Sequence, residues 1–344
     1  MKKELIKFIR NLVLLLVLVI ILFSPVLCFN LYIDPYAIFK SDISKQRIEP
    51  NSHFIKMRYI LNHPDKFDSF VFGNSRANNI DVTKIPNGKY FNLYYSLGLP
   101  KEHLADIKIL LKHHLKIKNL LICIDFSAYR GTDAGRPNDL MRKTYPTNTF
   151  DLFKLYLDYI FQIPQQEFLN EFFLQPIIPG YKYLTINGRA INDDVEKTIE
   201  ANPIKHGADK KFNDPILEYE NHVDEAIADL SDISKICQAN NISLTIEVNP
   251  VYKITYLANQ PQLHFEFLKK LSAVIDYYDF GGINKVTSNN YFYYEASHFR
   301  PKIGDLMLDF IYRNKTNDTL PGFGFLVTKN NVDKRIETLQ NQLK

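Results

Sequence analysis

Cysteine is scarce in this chain, with three in 344 residues, at positions 28, 123 and 237. So few, in so long a chain, exclude a disulfide-stapled scaffold. Cys123 falls in an apolar run and Cys237 in a helical pattern, so both are expected as buried, inert thiols. An excess of charge of one sign is also missing. The net charge is only +4, and several of the cations sit at the extreme N-terminus. No basic stripe is interleaved with aromatic residues, which argues against a nucleic-acid partner. His, Cys and Asp nowhere fall at metal-ligand spacing, and His113 and His114 sit on a polar helix face, so neither a metal nor a cofactor is expected. Internal repeats and low-complexity tracts are absent, which excludes a solenoid. With 46% hydrophobic and 23% charged residues, the composition supports a sizeable globular core.

A long apolar run occurs at the N-terminus. Lys2, Lys3, Lys7 and Arg10 precede eighteen uncharged residues, 12–29, close to the ~20 that a membrane-spanning helix needs. The flanking cations predict an N-terminus in the cytoplasm and the remainder outside it. A cleaved signal peptide is the rival reading. Ser24-Pro25-Val26-Leu27-Cys28 carries no small-residue cleavage site, and bulky Val26 and Leu27 before Cys28 also argue against a lipoprotein. The chain therefore divides into residues 1–30, a basic tip and transmembrane anchor, and residues 31–344, an extracytoplasmic domain.

Beyond the anchor, strands and helices alternate. Helices are predicted over 53–63, 101–115, 223–240, 264–273 and 301–313, and strands over 68–72, 90–93, 119–124, 242–248 and 274–280. The continuous apolar run at 119–124 is of the kind buried in a parallel sheet. This order predicts an α/β fold with a doubly wound, mostly parallel sheet. Residues 131–220 break the rhythm. An aromatic-rich helix at 151–161 is followed by Pro164, Pro176 and Pro179, and 193–211 reads as a charged surface loop. This stretch is expected to be an insertion over the carboxyl edge of the sheet, a lid or partner-facing element whose aromatic helix mainly packs.

The chemistry-bearing residues are Gly73-Asn74-Ser75-Arg76, directly after the 68–72 strand, and Glu295-Ala296-Ser297-His298, just before Pro301. A serine at the carboxyl edge of a sheet is exposed to substrate, but its hydroxyl is a poor nucleophile until a base takes its proton. His298 is the candidate base. Glu295, three positions earlier in an expected helical turn, can hold the other ring nitrogen and stabilise the imidazolium. The backbone amides of Ser75 and Gly98 are candidate donors to the oxyanion that forms. Read singly, each residue has a plainer role: Ser75 as a helix N-cap, His298 as a surface histidine, Glu295 as a solvated turn residue.

Together these blocks resemble the membrane-anchored SGNH (GDSL-type) hydrolase-like proteins of bacterial envelopes, a group that includes the alginate O-acetylation proteins and the D-alanyl-lipoteichoic acid protein DltD. Asp34-Pro35-Tyr36 resembles the family's exit from the membrane. Gly73-Asn74-Ser75-Arg76 resembles its nucleophile block, Phe91-Asn92-Leu93 with Gly98 its second block, and Tyr294–Phe299 its acid-and-base block. The resemblance implies a flavodoxin-like three-layer fold and a Ser75, Glu295, His298 triad. It also implies an acyltransferase or esterase acting on acyl esters of an envelope polysaccharide or glycopolymer, beside a multi-pass membrane O-acyltransferase.

The chain departs from the family pattern in two respects. Glu295 stands where Asp is usual. The strand that should end in an oxyanion-donating Asn ends instead in Asp125, whose charge would oppose an oxyanion. Asn74, Asn78 and Asn249 are candidate substitutes for that donor, and Asn74, Arg76, Asp125, Asn249 and Arg300 are candidate substrate contacts. A non-catalytic module that docks the transferase or the polymer, and a lipase or thioesterase, are the alternative functions.

Overall fold

The computed structural model describes residues 2–40, 49–131, 143–164, 166–174, 184, 186–190, 193–316 and 320–344. The N-terminal run forms α1 (Lys2–Cys28), which a π-helical turn extends from Phe29 to Ile33. It is long and apolar enough to cross a membrane, and its most apolar stretch is not covered by the rest of the protein.

The chain then enters α2 (Ser52–Asn62), whose Asn51 cap accepts the Phe54 N–H at 2.9 Å, and strand β1 (Ser69–Gly73). Two 3₁₀ turns lead to β2 (Tyr90–Asn92), followed by α3 (Pro100–Lys112), β3 (Asn119–Ile124) and the one-turn α4 (Ser127–Arg130). Next come α5 (Thr149–Phe161), α6 (Gln166–Leu174), α7 (Asp193–Ala201) and α8 (Pro203–Gly207). The pattern resumes with α9 (Val223–Ala239), β4 (Ser243–Val248), α10 (Lys253–Ala258), α11 (Pro261–Ser272) and β5 (Tyr277–Asp279). It closes with α12 (Pro301–Arg313), β6 (Phe325–Val327) and α13 (Val332–Asn341).

The six strands form one sheet in the order β2-β1-β3-β4-β5-β6. The first five run parallel and β6 is antiparallel to β5. Side chains alternate across a strand, and here both faces are apolar. Phe70, Phe72, Leu120, Ile122 and Ile246 pack one face against α3, α9 and α11. Val71, Leu121 and Cys123 pack the other against α12 and the 3₁₀ turn after β1. Fully burying one such side chain contributes about 1.5–3 kcal/mol. Strand order reverses between β1 and β3, since β2 lies on one side of β1 and β3 on the other. In open α/β sheets that reversal leaves a crevice beyond the carboxyl ends of the strands, which is where ligands bind.

Two expectations need correction. Residues 193–211 are helical rather than an irregular loop, and their acidic side chains hold a buried arginine. The aromatic helix α5 is not mainly a packing element. Leu155 and Tyr159 are buried, while Phe150, Phe153 and Phe161 face outward. Pro176 and Pro179 lie outside the described residues.

Candidate active site

β1 ends on Gly73 because nothing larger fits there. A Cβ at that position would lie 2.7 Å from the Ala77 Cβ and 2.8 Å from the Cys123 carbonyl oxygen. Asn74 then turns the chain, its Oδ1 accepting the Arg76 N–H at 3.0 Å, and Ser75 begins a 3₁₀ turn over Ser75–Asn79. The first N–H of such a turn has no partner within it. Helix α12 closes on this turn through Gly304, where a Cβ would lie 2.2 Å from the Asn79 carbonyl oxygen.

His298 reaches Ser75 from the segment preceding α12. That segment is a bend rather than the helical turn expected from the spacing. A bridge pairs Tyr293 with Phe299, and the Tyr294 N–H donates to the His298 carbonyl at 2.8 Å. The bend brings Glu295 and His298 together all the same. The His298 backbone N–H donates to Glu295 Oε1 at 2.8 Å, and His298 Nδ1 is hydrogen-bonded to the same oxygen. His298 Nε2 lies 2.7 Å from Ser75 Oγ. Burial works to raise the Glu295 carboxyl. The hydrogen bonds and charge of His298, with the charge of Arg76, outweigh it and hold the group below the ordinary carboxylate range. Glu295 is therefore ionised at neutral pH.

The other expected residues occupy different roles. Asp125 does not face the oxyanion position as a bare charge. It is buried, receives Asn74 Nδ2 at 2.9 Å, Arg76 Nη1 at 3.1 Å and Asn249 Nδ2 at 3.2 Å, and accepts the Ser127 N–H at 3.0 Å. Arg76 is not a substrate contact. It is buried, and it ties the Ser75 turn to the histidine bend through Nε to the Ser297 carbonyl at 3.1 Å and Nη2 to Ser297 Oγ at 2.6 Å. Arg300 is fully buried and faces Glu196 at 2.7 Å and Glu200 at 2.5 Å on α7. Burial opposes the Arg300 charge, and the two carboxylates outweigh it and push its pKa up. Arg300 thus fixes α7 beside the site and leaves no donor for substrate.

None of the expected donors other than the Ser75 amide is available to an oxyanion. The Gly98 N–H donates to the Tyr95 carbonyl at 3.3 Å. Asn74 and Asn249 donate to Asp125, and Asn78 Nδ2 donates to the Ala190 carbonyl at 2.8 Å.

Ser75 and His298 open onto a pocket of about 680 Å³ whose wall the sequence did not disclose. Tyr94, Asn79, Arg189 and Glu196 line it, with Glu49, Asp81 and Lys211. Arg189 pairs with Asp81 at 3.2 Å. The Asn79 side-chain amide has no hydrogen-bond partner among the described residues. The one clue to that residue in the sequence is its place four positions after Ser75, at the end of the same turn. Arg189 and Glu196 come from the insertion and carry no motif.

No protein-family model and no curated protein matches this chain.

Proposed function

We propose that this protein is a membrane-anchored, SGNH-type serine acyltransferase or esterase, working on acyl esters of an envelope polysaccharide or glycopolymer. The observation that carries this reading is the unbroken chain from Ser75 Oγ to His298 Nε2, at 2.7 Å, and from His298 Nδ1 to Glu295. With Nδ1–H directed at an ionised carboxylate, Nε2 holds the lone pair that accepts the serine proton. Ser75 Oγ attacks the ester carbonyl as His298 takes that proton, and Glu295 stabilises the imidazolium. The tetrahedral oxyanion meets the Ser75 N–H. His298 then protonates the departing alkoxide, leaving an acyl group on Ser75. Water or a sugar hydroxyl attacks the acyl carbon in turn, with His298 removing its proton and returning it to Ser75.

The pocket favours a polyhydroxylated substrate. Asn79, Arg189, Glu196 and Lys211 place polar groups on the wall that can meet sugar hydroxyls, and Val195, Ala190, Tyr294 and Pro301 supply an apolar part that suits an acyl group. In this reading residues 31–344 form one extracytoplasmic domain of the three-layer type, the N-terminus lies in the cytoplasm, and a multi-pass membrane O-acyltransferase supplies the acyl group.

One observation favours a second reading, a non-catalytic module that docks the transferase or the polymer. The Gly98 amide and the Asn74 side chain are both engaged elsewhere, and the loss of one oxyanion donor costs about 2.7–4 kcal/mol in the transition state. A fluorophosphonate probe on the detergent-solubilised full chain separates the two. Labelling that Ser75→Ala abolishes, together with acetyl-ester turnover, supports catalysis; an unlabelled but folded protein supports docking.

A further inference from the structure

The outward face of α5 is an apolar feature left without a role. Phe150, Phe153, Leu157 and Phe161 recur at helical spacing along it, and Phe150, Phe153 and Phe161 are 74%, 59% and 53% exposed. Asp151, Lys154 and Asp158 fill the adjoining arc, and the opposite face buries Leu155 and Tyr159 in the core. Phe173 and Leu174 are likewise exposed at the end of α6, where Phe173 lies beside Phe29.

This surface is fastened to the end of the membrane span. Asn30 Nδ2 donates to the carbonyls of Tyr159, Ile160 and Gln162 at 3.0, 3.0 and 2.8 Å, closing the C-terminus of α5. Tyr159 OH donates to Asp34 at 2.7 Å, and Phe29 meets Phe172 edge-on at 5.5 Å between ring centres. The level of Asn30 follows from the helix rise. Starting at Leu12, the ~20 residues that cross the hydrocarbon end near Leu31. Exposed Tyr32, an interfacial residue type, follows immediately. The C-terminal end of α5, pinned to Asn30, therefore lies at the boundary between acyl chains and headgroups.

We propose that α5 and the end of α6 form a lipid-binding surface, with the phenylalanine face immersed in the bilayer leaflet that α1 reaches at its C-terminal end. Its charged arc faces headgroups and water, as in an interfacial amphipathic helix. The inference rests on α1 crossing the membrane and is independent of the chemistry at Ser75.

The chain contains no tryptophan, so a single introduced one reports alone. Phe153→Trp, Phe161→Trp, Lys154→Trp on the charged arc and Leu326→Trp on exposed β6 are each placed in the full chain and reconstituted in nanodiscs. Lipids carry bromine either high on the acyl chain or nowhere. The expected result is blue-shifted emission from the first two variants, most of it lost in brominated lipid, with weaker quenching at Lys154→Trp and none at Leu326→Trp. Bromine-insensitive emission at positions 153 and 161 overturns the proposal. If that emission is red, the face lies in water; if it is blue and depends on the number of chains per disc, a second copy covers it.

Discussion

Two acid–base pairs flank Ser75, and they differ in what they leave open. Asp125 and Arg76 are both buried, and every polar end of the pair that faces the protein meets a partner, Asn74, Asn249 and Ser127 on one side and Ser297 on the other. Glu295 and His298 are each about a third exposed, and the pair keeps one nitrogen, Nε2, turned toward the serine hydroxyl at the pocket. The first pair can hold two loops together but has no site left for a substrate. The second has fewer bonds and an outlet. Saturation marks a strut, and the pair that keeps a ring nitrogen on the serine hydroxyl is the one that the proposed function uses as its base.

The sharpest way to break this comparison is to remove the groups that would act as one unit. Ser75→Ala should lower ester turnover by roughly 10⁴–10⁶-fold, and adding His298→Ala should cost little more, because neither group works without the other. The thermal midpoint should barely move, since a half-buried hydroxyl is all that is lost. Glu295→Gln should be milder, on the order of 10⁴-fold or less, because hydroxyl and base remain while ring orientation and imidazolium stabilisation weaken. Turnover with an acetyl ester, read beside the unfolding midpoint, checks both. Independent, multiplying losses at Ser75 and His298 would refute the unit.

The strut should respond in the opposite way, through stability first. Arg76→Met leaves the Asp125 carboxylate buried without its cation, and Asp125→Asn leaves Arg76 unpaired. Breaking a buried pair in this manner costs about 3–5 kcal/mol. Denaturant midpoints of the two single variants and the double variant measure the coupling, and the double should recover part of the loss. Asp125→Asn is not expected to raise activity by supplying an oxyanion donor, because its side chain points into the Arg76, Asn74 and Asn249 cluster. A folded and more active Asp125→Asn protein would make Asp125 part of the oxyanion environment.

Much of the sheet was legible because its strands are written as apolar runs. The 119–124 run became β3 without a change of boundary, and the helix at 301–313 began at its proline. β6 and α13 went unread, since three residues on an antiparallel edge carry no period long enough to detect. In the site, Ser75, Glu295 and His298 could be named because their chemistry demands those residue types. The bend joining the last two could not, because it is fixed by the Tyr293–Phe299 bridge and by Arg76 from far along the chain. Arg76 and Arg300 looked like substrate contacts for a similar reason. Sequence gives an arginine its charge and not its partner, and both partners lie remote in the chain, Asp125 and Ser297 for one and Glu196 and Glu200 for the other.

Acid sharpens the comparison with the smallest expected effect. The Glu295 carboxyl is held below its ordinary value in the folded protein. A depressed carboxyl binds fewer protons folded than unfolded, so its contribution to stability is full above the unfolded pKa and is lost as pH falls through the folded one. Glu200 behaves alike, pulled down to about 2 by hydrogen bonds from Lys302, Tyr291 and Arg300. Wild-type stability should therefore decline below about pH 4. Glu295→Gln should flatten part of that slope and Glu200→Gln another part, each measured as the pH dependence of the denaturant midpoint. Glu295 is about a third exposed and Glu200 about half, so solvent screens both, each change should be small, and it should shrink further in salt. An unaltered acid slope in Glu295→Gln would mean that the Glu295–His298 contact holds no charge in the free protein. The histidine would then be oriented by its backbone alone, and the distinction between strut and base would rest on exposure rather than on the ionised carboxylate.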